Sequence, residues 1–169
     1  MKRSVFIGCL LLLSLAARGY DNTTHNFNTA TSAVMTLTSG NKIGTMSDGT
    51  IYSCMKNATF TINSDAGGLC IKLIQGDSVI ISPPKVGLRE LIVNHYPSNI
   101  VLQVAISTDS LTWTPVGVQR TSSVRATGLS GDYYVKIKNT FSPKTEIYVY
   151  AVDYWTEPQN CNCFPYVPE

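Results

Sequence analysis

The stretch Gly131-Asp132-Tyr133-Tyr134-Val135-Lys136-Ile137-Lys138 decides the fold. Tyr133, Val135 and Ile137 fall on one face of an extended chain, and Tyr134, Lys136 and Lys138 fall on the other. A period of two residues is the signature of a half-buried strand. Upstream, Leu102-Gln103-Val104-Ala105-Ile106-Ser107 repeats it, with Leu102, Val104 and Ile106 on one face and Gln103 and Ala105 opposite.

Further strands are expected on either side. Leu88 to His95 places Leu91 and Val93 together, and Ser78 to Ser82 runs up to Pro83-Pro84. That proline pair is expected to close its strand, because proline cannot donate to a ladder. Earlier candidates are Thr31 to Thr38, Ile51 to Ser53, Ala58 to Ile62 and Leu69 to Leu73. Later ones are a segment near Val116 to Ala126 and a last strand from Glu146 to Tyr154. Turn residues separate them, as at Ser39-Gly40-Asn41, Gln75-Gly76-Asp77, Tyr96-Pro97-Ser98-Asn99 and Thr108-Asp109-Ser110. No segment of the mature chain holds a helical period for three turns. About ten short strands joined by hairpin-length gaps predict an all-β fold, an antiparallel β-sandwich of the jelly-roll kind.

The first residues read differently. Lys2 and Arg3 precede an apolar run from Val5 to Ala17, and Ala17 and Gly19 stand at the −3 and −1 positions of a cut before Tyr20. That order predicts a secretory signal peptide over 1–19. The apolar run is about 13 residues, short of the ~20 needed to span a bilayer. The expected organisation is a signal at 1–19, a sandwich over 20–156 and an irregular tail over 157–169. The expected location is extracellular, at the cell surface or periplasmic, with no membrane span.

Processing changes the charge argument. The chain has 13 basic and 11 acidic residues, and Lys2, Arg3 and Arg18 leave with the signal. Ten basic against 11 acidic side chains remain, so the mature protein is nearly neutral. A basic patch or stripe is the footprint of nucleic-acid binding, and none is expected here. Cys54, Cys70, Cys161 and Cys163 stay in the mature chain. Export allows pairing, and four cysteines permit three connectivities. A Cys161–Cys163 bond would close a strained ring, so Cys54–Cys70, or a bond from tail to body, is easier to build. Cys161-x-Cys163 with His25 and His95 far off in sequence does not make a metal site. Asn22 and Asn57 fit Asn-x-Ser/Thr, a glycan acceptor only in a eukaryotic secretory route.

The segment Gly87 to Asp153 resembles a group of secreted Bacteroidetes jelly-roll domains found beside pectate lyases and other extracellular enzymes. These are similar to galactose-binding-like and carbohydrate-binding sandwiches. The likeness rests on Asp77-Ser78-Val79-Ile80-Ile81-Ser82-Pro83-Pro84, on Leu91-Ile92-Val93, on Leu102 to Asp109 with Trp113, and on Gly131 to Ile137. It implies a non-catalytic module that binds polysaccharide. The alternatives left open are an envelope component that binds another protein, in the manner of an adhesin, and an enzyme acting on polysaccharide.

Sugar-binding sandwiches stack aromatic rings on pyranose faces and ring them with a few polar groups. In the last strand Tyr148, Tyr150 and Tyr154 share parity, opposite Ile147, Val149 and Ala151. Those tyrosines, with Tyr134 and Trp113, are the candidate ligand-binding residues. Each has a plainer use: the tyrosines cover the sandwich, Trp113 packs over its hairpin, and Trp155 caps the strand. Lys136 and Lys138 read as solvated, or as edge-strand charges that discourage aggregation. Catalytic chemistry finds little support. The carboxylates are scattered, and two histidines without a Gly-x-Ser-x-Gly elbow make no triad. No cofactor is expected. Asp109 and Asp132 near turns are the sole candidates for a structural Ca²⁺, and capping is the commoner use of Asp at a turn.

Overall fold

The computed structural model describes residues 19–29, 35–98, 100–119, 121–141 and 145–158. Residues 1–18, where most of the expected signal lies, and the tail cysteines Cys161 and Cys163 fall outside the described residues. Among the described residues eleven strands run antiparallel throughout. They are β1 (Asp21–Asn26), β2 (Met35–Thr38), β3 (Ile43–Met46), β4 (Ile51–Met55), β5 (Thr59–Asn63) and β6 (Gly68–Leu73). Then come β7 (Ser78–Tyr96), β8 (Leu102–Ser107), β9 (Thr114–Gln119), β10 (Ser123–Asn139) and β11 (Ile147–Thr156). The one helical element among the described residues is a 3-10 turn, Phe27–Thr29. No helix among them is long and apolar enough to cross a membrane.

The strands form one continuous sheet folded over into a β-sandwich. The first layer has the order β2-β3-β4-β7-β10-β8-β9. The second is β10-β7-β11, with β1 and β6 both along β11 and β5 outside β6. Two long strands, β7 and β10, belong to both layers. The first part of β7, Ser78 to Ser82, pairs with β4, and its last part, Leu88 to Tyr96, pairs with β11. Along the same bend the register between β7 and β10 shifts at Gly131, Tyr133 and Val135. Gly87, at a positive φ of 63°, takes the bend, and its N–H donates to Asp132 Oδ1 at 2.8 Å.

Two expectations change here. Pro83-Pro84 does not end a strand, because β7 continues through it. The prolines fall between the pairs Val135↔Ile81 and Tyr133↔Lys85 and just beyond Ile51↔Ser82, where the ladder asks no donor of them. The set of short strands is likewise replaced by two strands of 19 and 17 residues, with nine shorter ones around them.

Period 2 explains the core. Tyr52, Val79, Ile81, Val104, Val135 and Ile137 point inward from the first layer. Phe60, Ile71, Leu91, Val93, Val124 and Val149 meet them from the second. Each side chain buried in this way contributes about 1.5–3 kcal/mol relative to exposure. Phe27 joins the layers: its ring stands edge-on to Tyr52 at 5.0 Å and to Phe60 at 5.7 Å.

Among the described residues Cys54 and Cys70 are free thiols and do not pair with each other. Cys54 leans on the core from β4, with the parity of Tyr52. Cys70 takes the opposite parity to Leu69, Ile71 and Leu73 on β6, so it lies on the far side of the second layer. Burial pushes the Cys54 thiol up to about 12 and that of Cys70 up to about 11.

Candidate functional site

The outer face of the second layer is built by residues that alternate with the core. On β7, Leu91, Val93 and His95 are buried, while Glu90, Ile92, Asn94 and Tyr96 face away. Register then sets their neighbours. Tyr148 stands opposite Tyr96, Asp153 opposite Ile92, and Trp155 opposite Glu90. Arg125 of β10 lies on the other side of Ile92, and Thr24 of β1 beyond Asp153.

Aromatic rings thus mark the two ends of one strand pair. Tyr96 is 39% exposed, and Tyr148 and Trp155 are half-buried. Tyr148 and Trp155 are about 20 Å apart along β11, at ~3.3 Å per residue with one residue bulged. Between them lie amides and carboxylates that hold one another. Asn94 Nδ2 donates to Asp153 Oδ2 at 2.9 Å, and Arg125 Nε donates to Glu90 Oε1 at 2.5 Å. At one end, Tyr148 donates to the Glu146 carboxylate, which also pairs with Lys72. That hydrogen bond raises the Tyr148 hydroxyl to about 12. At the other end is a cleft of about 330 Å³ lined by Trp155, Tyr20, Arg89, Glu90 and Leu129. Arg89 crosses its floor, donating to the Leu129 carbonyl and to the Glu157 carboxylate. Every basic side chain of this face is therefore matched by a carboxylate.

The five sequence candidates do not converge. Tyr148 lies on this face, and Tyr134 and Trp113 lie on the outer side of the first layer. Tyr150 is the extra residue of a β-bulge, because Val149 pairs with His95 and Ala151 with Asn94. The bulge also inverts the parity beyond it. Val152 and Tyr154 turn inward, and Tyr154 is 5% exposed, so the expected ladder of three tyrosines does not form. Sequence reasoning passed over Tyr96 and Glu90. Glu90 lies in the strand already identified, alternating with Leu91 and Val93, whereas Tyr96 reads in the sequence as part of the following turn and is the last residue of β7.

Tyr154 instead enters a polar cluster where the layers meet. His25 points inward from β1, and Asp48 lies in the turn between β3 and β4. His25 Nε2 lies 3.1 Å from Asp48 Oδ2, and its Nδ1 lies 2.6 Å from the Tyr52 hydroxyl. An ionised Asp48 only accepts, so Nε2 carries the proton and Nδ1 accepts from Tyr52. Asp48 accepts in addition from the Thr50 N–H and hydroxyl at 2.9 Å and from Tyr154 at 3.0 Å. Lys85 donates to Thr50 Oγ1 and to the Tyr154 hydroxyl. Burial alone would raise the Asp48 carboxyl; the bonds from Thr50, with His25 and Tyr154, outweigh it and set it at about 2. Burial lowers the His25 pKa against the opposing pull of Asp48. The cluster is a cross-layer tie whose donors converge on one carboxylate. The His25 ring faces a phenol, a carboxylate and the Tyr154 ring.

The two aspartates considered for Ca²⁺ both serve turns. Asp109 Oδ1 accepts from Ser107 Oγ and from the Leu111 and Thr112 N–H groups, which holds its carboxyl at about 2. Asp132 holds Gly87, as above. Among the described residues no three His, Cys, Asp or Glu side chains gather as a metal site.

No family model matches the chain, and no curated protein matches it. Two solved structures are similar in arrangement. One comes from the Ruminococcus flavefaciens cellulosome, in a study of its expansion in glycan recognition. It has a TM-score of 0.42 and 12% identity, over 81% of this chain and 95% of that one. The other is CBM86, a low-affinity xylan-binding module from Roseburia intestinalis, with a TM-score of 0.46 and 7% identity, over 81% of this chain and 96% of that one. Likeness at that level is no warrant for function, so function rests on the surfaces of this chain.

Proposed function

We propose that the protein is a secreted, non-catalytic glycan-binding module, with its binding face on the outer side of the second layer. The observation that carries the reading is the Tyr148–Tyr96 pair and Trp155 at the two ends of the β7–β11 ladder. Asn94, Asp153 and Arg125 stand between those ends, and Glu90 lies beside Trp155. Flat rings offer apolar area to the C–H faces of sugars, and fixed amides and carboxylates meet hydroxyl groups. Ion pairing within the face leaves it near neutral, which suits an uncharged polysaccharide. The polar side chains are already bonded to one another, so they are held in place before a ligand arrives. Such preorganisation spares the entropy of ordering them on binding.

The test is affinity electrophoresis of the full chain against a panel of plant, host and bacterial polysaccharides. Retardation by at least one neutral polysaccharide is the expected result. Migration unaffected by every member of the panel overturns the reading.

A further inference from the structure

The outer face of the first layer has a different chemistry. Tyr134, Lys136 and Lys138 project from β10, with Val135 and Ile137 buried behind them. An explanation of the lysines as edge-strand charges fails, because β10 lies inside the layer, bonded to β7 on one side and β8 on the other. Lys136 stands between Ile80 and Ala105, and Lys138 between Ser78 and Gln103. All four neighbours are uncharged. Farther along the same rows come Ser53, Met55, Pro115 and Val118, again without charge.

The four ion pairs among the described residues are His25–Asp48, Lys72–Glu146, Arg89–Glu157 and Arg125–Glu90, and none involves these lysines. Asp109, at the end of the Tyr134–Ser107 row, is already engaged by Ser107, Leu111 and Thr112. Lys136 Nζ sits 4.6 Å from the centre of the Trp113 ring, a contact that orients the ammonium without neutralising it. Two lysines thus rise on the same side of a central strand from Cα atoms about 7 Å apart. Burial, and after it the charge of Lys138, lowers the Lys136 pKa, and no carboxylate among the described residues pairs with either lysine.

We propose that this face is a second ligand site, for a carboxylated polysaccharide whose acid groups pair with Lys136 and Lys138 while a sugar ring lies against Tyr134. Ser78 and Gln103 flank Lys138 and supply uncharged partners for hydroxyl groups. A nucleic acid is the less suitable polyanion. Its binding relies on many phosphate contacts, and among the described residues this face offers two lysines and no arginine. The site is independent of the second-layer face, so either assignment can fail alone.

The test uses the full chain and a Lys136→Gln/Lys138→Gln variant in native gels containing polygalacturonate. Filter binding to a duplex DNA and gels containing a neutral galactan run beside them. The expected result is retardation of the wild type by polygalacturonate, weakened by added salt. The double variant binds about tenfold more weakly or worse, having lost two charge-assisted contacts. Lys138→Arg retains polygalacturonate binding, which keeps the result readable should the double variant fold poorly. No retardation of the wild type, or equal retardation of the double variant, overturns the proposal. So does DNA bound as tightly as polygalacturonate.

Discussion

His25 Nε2 lies 3.1 Å from Asp48 Oδ2 and joins an inward-facing strand residue of one layer to a turn of the other. The same carboxylate takes hydrogen bonds from Thr50 and Tyr154, so removing its charge disturbs several donors together. Asp48→Asn presents an amide that is itself a donor to at least one of them. A hydrogen bond to a charged group contributes about 1.5–3 kcal/mol, and a buried donor left unmet costs about 1–3 kcal/mol. The part-exposed carboxylate puts the expected loss at about 1–3 kcal/mol of folding stability, read as a lower urea midpoint at pH 7 with an unchanged slope. An unchanged midpoint would show that the cluster does not tie the layers.

The same groups set the acid limit. Asp48 has a depressed folded pKa, from 3.8 to about 2, so its contribution is present above pH 4 and is lost as pH falls from about 4 to 2. His25 and His95 are bases with depressed folded values. For each, the folded state binds fewer protons than the unfolded state below pH 6.5, so stability is full above 6.5 and declines as the pH drops. Stability is therefore expected to fall in two stages, one beginning near pH 6.5 and one below 4. Urea midpoints across pH 2 to 8 check this; a flat profile between 6.5 and 5 contradicts it.

His95 separates the two histidines. It is 1% exposed, and neither ring nitrogen makes a hydrogen bond of normal geometry. Burial lowers its pKa, and the nearby Pro97 backbone opposes this only in part. Replacing an unsatisfied buried polar group by an apolar one of similar shape is neutral or stabilising. His95→Leu is expected to keep or raise the midpoint at pH 7 and to flatten the first acid stage. A loss of more than about 2 kcal/mol, the scale of a core cavity, would mean that the ring has a partner.

Gly44 fixes how β3 meets the second layer. A Cβ added there would stand 2.5 Å from Cζ of Phe60, whose ring packs edge-on against Phe27. Phe60 is 2% exposed and has little room to withdraw. Gly44→Ala is expected to cost about 1–3 kcal/mol as an overpacked core, checked by thermal unfolding. Gly40→Ala controls for strain at a positive φ, since a Cβ at Gly40 meets nothing within 4 Å.

Much of the fold was legible because alternation is local. Val135 and Ile137 against Lys136 and Lys138 needs only a period of two residues, and the antiparallel sandwich follows from several such runs. Features set by distant pairing were not. A β-bulge at Tyr150 depends on how β11 meets β7, and it sends Tyr154 inward against its apparent parity. Pro83-Pro84 is tolerated only because both neighbouring ladders release the chain there. His25 and Asp48 carry no mutual signal over the 23 residues that separate them. On the candidate face, Tyr148 was legible as a half-exposed ring. Its partner Tyr96 required the register between two strands.

That register makes a prediction about the two ends of the glycan face. Tyr148 faces Tyr96 at one end and Trp155 faces Glu90 at the other, about 20 Å away along the strand. If both ends touch one ligand, Trp155→Ala and Tyr148→Ala each weaken binding to the neutral polysaccharide found in the panel. Aromatic anchors of interfaces typically cost 2 kcal/mol or more when truncated, so a loss of about tenfold or greater is expected from each. Both side chains are half-buried on an outer face, and their removal is expected to leave the thermal midpoint within about 1–2 kcal/mol of wild type. Tyr154→Phe is the contrasting variant. It removes a hydroxyl from the Asp48 cluster, lowers stability and leaves binding intact, because its ring lies on the core side of the same strand. Isothermal titration beside thermal unfolding separates the two effects. Binding lost with Tyr154→Phe but retained with Trp155→Ala would move the glycan site to the cluster at the layer junction.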